Sequence, residues 1–111
     1  MTTLPRDLDN NPIPALRLNP NGAHIINTTS SSSTRNNTAF IEGTRVISLY
    51  ATAPVFIKFG DAGVDASASD HYFPSGLYYD FAIGGDKTFH NTHVSVLGQS
   101  SDAVVYISEK E

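Results

Sequence analysis

Two of the four histidines have a spacing that is found in metal sites. His90 and His93 form an H-x-x-H pattern, and Asp86 is the nearest acidic side chain. On a β-strand this spacing directs the two rings to opposite faces, so only a loop could bring both to one zinc ion. Such an ion would also need further protein ligands. The sequence therefore predicts solvated loop histidines and no metal site.

A second pattern of chemical interest is the acidic pair Asp61 and Asp65 around Gly63. Alternating oxygen ligands around a glycine are typical of the start of a calcium-binding loop, but the later acidic positions and the bidentate glutamate are missing. Aspartate and glycine are also common turn residues, and a turn is the simpler interpretation. We expect no bound ion in this loop.

The remaining catalytic patterns are incomplete. Asp70 and His71 lie beside a serine-rich segment, but the sequence has no G-x-S-x-G turn that would present a nucleophile. The carboxylates that could form a glycosidase pair all lie next to predicted turns. Gly84 and Gly85 are typical of a hairpin rather than of a nucleotide-binding loop. The sequence therefore predicts a protein that is not an enzyme and has no cofactor.

Tyrosines offer a different chemistry, because rings on a β-surface can stack on sugars or anchor a protein interface. Alternation along residues 77–83 assigns Tyr79 to the core face, and Tyr78 and Asp80 to the opposite face. We predict that Tyr72, Tyr78 and Asp80 on the domain surface contact a partner. The alternative is that these rings only complete a small core.

The elements that would position these side chains are short strands. The longest apolar run, residues 44–59, is divided by a proline into two alternating segments. Further alternation covers residues 77–83, 93–97 and 103–108, with turn residues between them. No stretch has the apolar spacing of an amphipathic helix. We predict an all-β protein, a β-sandwich or jelly-roll-like barrel of about seven or eight short antiparallel strands.

The first 43 residues differ in composition from the rest. Residues 1–14 contain three prolines among Asp and Asn, and residues 28–38 have no large apolar side chain to offset the entropy of ordering. We predict an extended N-terminal arm with a Ser/Thr/Asn-rich linker over residues 1–43, and a sandwich domain over residues 44–111. An arm of this kind can add a strand to a partner's sheet. Its predicted partner-binding residues are Leu16, Leu18, Ile25, Ile26 and Arg35.

The overall composition limits the class of partner. The chain of 111 residues has a formal net charge of -4, and this gives no basic field for a phosphate backbone, so direct nucleic-acid binding is not expected. It contains no cysteine, which favours synthesis in a reducing cytoplasm. No stretch is apolar enough for a signal peptide or a membrane span. We expect one small domain that gains stability from a partner.

A series of motifs runs from residue 45 to residue 76. A strand that ends in Ala51-Thr52 is followed by an apolar strand that ends in Phe59-Gly60-Asp61, and then by a run of small residues. Ser69-Asp70, Pro74-Ser75-Gly76 and a hydrophobic last strand from Val104 to Glu109 complete the series. This pattern resembles small β-sandwich structural proteins in the virions of tailed bacteriophages. The resemblance does not extend to residues 1–43.

The resemblance implies a function and a location. It implies a capsid decoration or cement protein that stabilises the shell by binding the major capsid protein lattice at junctions between capsomers. Such proteins are commonly homo-oligomers, dimers or trimers, without catalytic residues. The protein would be made in the host bacterial cytoplasm and lie on the capsid surface of the virion. The alternative is a carbohydrate- or receptor-binding module of a phage fibre, tail or neck, with Tyr72, Tyr78 and Asp80 lining a shallow groove.

Overall fold

The chain folds into two antiparallel β-sheets that pack face to face. The computed structural model describes residue 9 and residues 16–85 and 87–111. The regular elements of these residues are β1 (Leu18–Thr28), β2 (Thr34–Arg35), β3 (Val46–Ala51), β4 (Val55–Gly60), β5 (His71–Phe73), β6 (Tyr79–Ala82), β7 (His93–Gly98) and β8 (Ala103–Lys110). None of the described residues forms a helix with the length and apolar character that crossing a membrane requires. The all-β prediction is confirmed.

The strand order is that of a jelly roll. The first sheet has the order β1-β8-β3-β6 and the second sheet has the order β2-β7-β4-β5, so consecutive strands mostly alternate between the sheets. Every strand pair is antiparallel. Eight strands wound in this way into two sheets are characteristic of the jelly roll. The predicted sandwich architecture is therefore confirmed.

Apolar side chains from both sheets fill the space between them. In β3, Ile47 and Leu49 are fully buried, and β8 contributes Val105 and Ile107 on the same side of the first sheet. These residues alternate with outward ones because successive side chains of a strand point to opposite faces. The rest of the core comprises Ile26, Phe40, Ala51, Val55, Ile57, Phe73, Ile83, Val94, Val96 and Ala103, of which Phe40 and Ile83 lie outside the strands.

Residues 16–43 do not form an arm separate from this core. β1 pairs with β8 and β2 pairs with β7, and the side chains of Ile26 and Phe40 are buried. The predicted division at residue 44 is therefore wrong for this part of the chain. The physical reason is that without β1 the backbone edge of β8 would have no strand partner, and its inner apolar face would be exposed. The prediction for residues 1–15 falls, apart from Asp9, outside the described residues.

The outer faces of the two sheets differ in how they are covered. The chain after β4 packs on the second sheet, where Val64 and Ala66 are buried. The Ala66 N–H donates a hydrogen bond of 2.9 Å to Ser95 Oγ of β7, whose side chain is fully buried although it points away from the core. On the first sheet, the outward residues Ile25 and Tyr106 remain 62% and 43% exposed.

Candidate functional site

A row of large side chains crosses the outer face of the first sheet. The antiparallel register aligns Ile25 of β1 with Tyr106 of β8, and Tyr106 with Tyr50 of β3. The ring of Tyr78, the residue before β6, lies 4.8 Å from the ring of Tyr50 with a tilt of 36°. The row therefore reaches from one edge of the sheet to the other. We call these four residues the tyrosine row.

Strand alternation and pairing together produce this row. Tyr50 follows the buried Leu49, and Tyr106 follows the buried Val105, so both rings must point away from the core. Directly opposite residues of an antiparallel pair have Cβ atoms about 4.5–5.5 Å apart. Pairing of β3 with β8 thus places the two tyrosines side by side.

The tyrosine row offers apolar area together with hydrogen-bonding groups. Tyr78 is 68% exposed, and Tyr50 is half-buried between its neighbours in the row. A tyrosine ring provides a large contact surface that loses little conformational entropy on binding, and its hydroxyl can donate or accept a hydrogen bond. These properties explain why tyrosine is enriched in the centres of protein interfaces.

A second row, which we call the polar row because three of its four side chains are polar, runs beside the tyrosine row, two residues away along each strand. It consists of Ala23, Ser108, Ser48 and Asp80. Ser48 Oγ donates a hydrogen bond of 2.9 Å to the Asp80 carboxylate, and Lys110 Nζ lies 3.0 Å from it. The hydrogen bond from Lys110, followed by that from Ser48, lowers the pKa of Asp80. The negative charge beside the tyrosine row is therefore matched within the sheet itself.

The predicted partner-binding residues at the N-terminal end of the fold lie on different surfaces. Leu16 is 49% exposed and Leu18 is 64% exposed, and Ile25 belongs to the tyrosine row. Their contact with a partner stays a prediction. Ile26 is only 2% exposed and lies in the core, so its predicted contact is wrong. Pairing of β1 with β8 makes Ile25 and Ile26 alternate between the two faces of the sheet.

Arg35, the fifth of these residues, is bonded to its own chain. Its guanidinium donates a hydrogen bond of 3.1 Å to the Val64 carbonyl and lies 3.2 Å from the Asp65 carboxylate. These contacts fix the position of the chain after β4, which packs on the outer face of the second sheet. Arg35 therefore contributes to that cover, and its predicted partner role remains untested.

The structure separates the three predicted contact residues of the domain surface. Tyr78 and Asp80 lie on the outer face of the first sheet, in the tyrosine row and the polar row. Tyr72 lies in β5 of the second sheet, 6.1 Å from the ring of Phe56. The shallow groove that the carbohydrate-binding alternative requires of these three residues is therefore not formed, because Tyr78 and Asp80 point to the outer face of the first sheet whereas Tyr72 belongs to the second sheet.

The histidines with the H-x-x-H spacing take part in local contacts. His90 Nε2 lies 2.8 Å from the Thr44 carbonyl, and His93 Nδ1 lies 2.8 Å from Thr92 Oγ1. Burial, and after it the charge of Arg35, lowers the pKa of His93. Residue 86 lies outside the described residues. Within the part of the chain that the structure describes, no group of three or more His, Cys, Asp or Glu residues could hold a metal ion.

The acidic loop residues also have local partners. Asp61 Oδ1 accepts a hydrogen bond of 2.9 Å from the Gly63 N–H, which is the geometry of an Asx turn. Asp70 Oδ2 accepts a hydrogen bond of 2.7 Å from the Ser67 N–H, and this bond is the main cause of the lowered pKa of Asp70. Asp61 thus organises a turn, as the turn interpretation predicts, and Asp70 organises another.

The sequence analysis missed a buried polar cluster at one end of the sandwich. The Glu109 carboxyl accepts hydrogen bonds from the Ile41 N–H at 2.8 Å and from Thr44 Oγ1 at 2.5 Å, and His24 Nε2 lies 2.7 Å away. Glu109 is 1% exposed, and the His24 ring packs edge-on against Phe40 at 5.1 Å. The available signal was that Glu109 continues the inward alternation of β8. We call His24, Ile41, Thr44 and Glu109 the Glu109 cluster.

Comparison with known proteins informs the fold alone. No protein-family model and no curated protein matches the chain. Among solved structures, it is similar to a de novo designed double-stranded β-helix, with a TM-score of 0.50 and 12% identity over 80% of this chain and 97% of that chain. It also matches a structure of the disulfide-linked pili that Bacillus endospore appendages form, with a TM-score of 0.41 and 17% identity over 79% of this chain and 84% of that chain. The likeness to the designed protein agrees with the jelly-roll strand order.

Proposed function

We propose that this protein is a non-enzymatic structural component of a virion, a decoration protein that binds the lattice of the major capsid protein. The observation that carries the proposal is the tyrosine row on the uncovered outer face of the first sheet. The choice of a capsid lattice as the partner depends on the resemblance of residues 45–76 to structural proteins of tailed bacteriophages. The jelly roll is a fold that capsid proteins use, although it also serves lectins and enzymes.

The physical properties of the tyrosine row suit attachment to a protein surface. A sheet face is broad, and its tyrosines supply apolar contact and hydrogen bonds without an unmatched charge. Interface centres are depleted of charged residues because desolvating an unpaired charge is costly. The carboxylate of Asp80, in the neighbouring polar row, is already bonded to Ser48 and Lys110. Binding at the tyrosine row therefore needs no new partner for that charge.

A repeating lattice also compensates for the small size of each contact face. A homo-oligomer presents one tyrosine row per copy, and each bound row raises the effective concentration of the others. Contacts that are individually weak then give durable attachment. This is the arrangement that we propose for a dimer or trimer at a junction between capsomers.

The proposal is tested with empty shells assembled from the major capsid protein of the same virus. The variant Tyr78→Ser/Tyr106→Ser removes two exposed rings of the tyrosine row and leaves the core intact. We expect its affinity for the shells, measured by co-sedimentation, to fall by about tenfold or more, since central aromatic side chains dominate interface energies. Phe89→Ser removes another exposed ring, 69% accessible, and should bind like the unmodified chain.

Two results would contradict the proposal. One is the failure of the unmodified protein to bind the shells at all. The other is undiminished binding by the double tyrosine variant, which would place the contact elsewhere on the molecule.

The paired rings of Tyr50 and Tyr78 favour one second candidate, a carbohydrate-binding module. Rings of this kind can stack on sugars, and polar side chains lie beside them. Against this function, Asp80 already accepts hydrogen bonds from its neighbours and has less capacity for sugar hydroxyls. A glycan screen separates the candidates, because a decoration protein should show no saturable sugar binding that Tyr78→Ser removes.

A further inference from the structure

The two sheets do not close against each other at β5 and β6. β5 ends the second sheet and β6 ends the first, so within the described ranges each strand has one backbone edge without a strand partner. Two adjoining cavities of about 340 and 290 Å³ lie between these edges and share Tyr72, Phe73 and Phe81. We call this continuous depression the β5–β6 groove.

Aromatic side chains line the groove, and Tyr72 and Tyr79 among them are exposed. The Phe81 ring lies 5.4 Å from that of Phe59 and 4.9 Å from that of Tyr79. Tyr79 is opposite Leu49 in the register and therefore belongs to the inner face of the sheet, yet it is 54% exposed whereas Leu49 is fully buried. Leu77, at the rim, is 46% exposed. Apolar inner surface thus remains in contact with water along β6, and covering it would be favourable.

At the opposite side of the sandwich, hydrogen bonds join the two sheets directly. There, Thr28 Oγ1 donates a hydrogen bond of 2.8 Å to the Val96 carbonyl of the second sheet. The Gly98 N–H donates a further hydrogen bond of 2.9 Å to the Thr29 carbonyl. These bonds join β1 and the residue after it directly to β7. At β5 and β6, a bound segment that fills the groove would take the place of such bonds between the sheets.

We propose that the β5–β6 groove binds residues 1–15 of a second copy of this chain. In sequence this segment contains Leu4-Pro5 and Pro12-Ile13-Pro14, so its apolar residues lie next to prolines. Proline restricts φ and favours extended backbone. Extended proline-containing segments bind aromatic-lined grooves well because they have little conformational entropy left to lose. The chain therefore supplies both an aromatic groove and a segment whose chemistry fits it.

The point where this segment joins the fold favours the groove of a second copy over its own. Arg17 exchanges two backbone hydrogen bonds of 2.9 and 2.8 Å with Glu111. The next residue, Leu18, lies on the same transverse line of the first sheet as Ala82, which lines the groove. Arg17 lies one residue beyond this level, and β1 is at the opposite edge of the first sheet from β6. Fifteen extended residues span up to about 50 Å, enough to reach a neighbouring copy.

An exchange of this kind would link copies through their N-terminal segments. It does not depend on what the tyrosine row binds, since the tyrosine row lies on the outer face of the first sheet and the groove lies at its edge. The two proposals can therefore fail separately.

The absence of cysteine from the chain permits a direct test on the full-length protein. The variants Ile13→Cys and Leu77→Cys, one of them carrying a size tag, are mixed and oxidised, and disulfide-linked heterodimer is measured on a non-reducing gel. We expect about tenfold more heterodimer than from Ile13→Cys mixed with Ser100→Cys, because tethering raises the local thiol concentration. Position 100 is exposed and is not part of the groove lining. A yield equal to this control would overturn the proposal.

A doubly substituted chain separates exchange between copies from folding back within one copy. Oxidation of Ile13→Cys/Leu77→Cys should give cross-linked dimers and larger species. A product that is mainly cross-linked within single chains would overturn the exchange.

A second experiment changes the groove itself and measures self-association without any cross-link. Leu77→Glu/Tyr79→Ser changes two exposed side chains, so the fold should be retained, as circular dichroism can verify. We expect the dissociation constant for self-association, measured by sedimentation, to rise by about tenfold or more. Phe89→Ser should leave it unchanged. Unchanged self-association of the groove variant would contradict the proposal, and no capsid is needed for any of these measurements.

Discussion

Glu109 and Asp80 are carboxyl groups of the same sheet, but they lie on its opposite faces. The Glu109 side chain is 1% exposed and is enclosed by the Glu109 cluster, whereas the Asp80 side chain is 55% exposed and is bonded to Ser48 and Lys110. Water can replace any hydrogen bond that Asp80 loses. It cannot reach Glu109 without opening the end of the sandwich.

This difference shows how the two faces of the first sheet divide their roles. A polar group on the inner face must have all its hydrogen bonds made within the fold, since a buried unsatisfied group costs about 1–3 kcal/mol. A polar group on the outer face contributes little to stability and leaves the tyrosine row available for binding. We therefore expect substitutions on the inner face to change stability, and substitutions on the outer face to change binding.

The largest expected effect is the loss of the buried carboxyl group. Glu109→Ala would leave the Ile41 N–H, the Thr44 hydroxyl and the His24 ring without their acceptor. We expect the free energy of unfolding to fall by several kcal/mol, about 1–3 kcal/mol for each buried group left unsatisfied. Urea denaturation measures this change.

Glu111→Ala is the matched control for that substitution. Glu111 pairs with Arg17 at 3.1 Å on the surface, and its side chain is 42% exposed. Its removal should cost less than about 1 kcal/mol. Equal losses for the two glutamates would mean that the Glu109 cluster is not a buried network.

Two neighbouring isoleucines of β1 test, with apolar side chains, whether inner-face substitutions lower stability more than outer-face ones. Ile26→Ala removes a side chain that is 2% exposed, and should cost about 2–5 kcal/mol through lost burial and the cavity left behind. Ile25→Ala removes one that is 62% exposed, and should stay within about 0.5 kcal/mol. Thermal or urea unfolding gives both values. If the order were reversed, the register of β1 against β8 would be wrong.

A smaller effect is expected where β1 approaches Glu109. A Cβ added at Gly22 would lie 2.6 Å from the Glu109 Cβ, so Gly22→Ala must displace the strand or the carboxyl group. Overpacking of this kind costs about 1–3 kcal/mol. Gly43→Ala is the control, because its added Cβ meets no atom within 4 Å. Similar unfolding midpoints for the two variants would argue against the close approach.

The smallest effect is expected on the outer face, and it depends on pH. The folded-state pKa of Asp80 is lowered, first by Lys110, so the folded state binds its proton less readily than the unfolded state. Its contribution is therefore present above the unfolded value of about 3.9 and is lost as pH falls through the folded value. Asp80→Asn should cost less than about 1 kcal/mol at neutral pH.

The free energies of unfolding of Asp80→Asn and of the unmodified chain should converge as pH falls through the lowered folded-state pKa of Asp80. A stability difference that remains the same in acid would mean that the carboxylate charge is not its source. Added salt should also reduce the difference at neutral pH, because the pair is partly exposed.

Local alternation predicts which side chains of a strand share a face, and it succeeded wherever apolar residues are frequent. Ile47 and Leu49 point inward and Tyr50 points outward, as their order in the chain requires. Tyr79 was assigned to the core face, and the register does place it on the inner face. It is nevertheless exposed, because β6 ends its sheet and nothing among the described residues covers the ring.

By itself, the sequence determined the all-β class, the inward and outward faces of most strands, and the turn role of Asp61. Only the tertiary structure decided that residues 18–43 belong to the sandwich, that the tyrosine row lies across one sheet, and that Glu109 is buried. The physical reason is that strand order depends on which distant edges and apolar faces cover one another. Each strand pattern is compatible with many partners, and the pairing of β8 with both β1 and β3 is settled only when the whole core is packed.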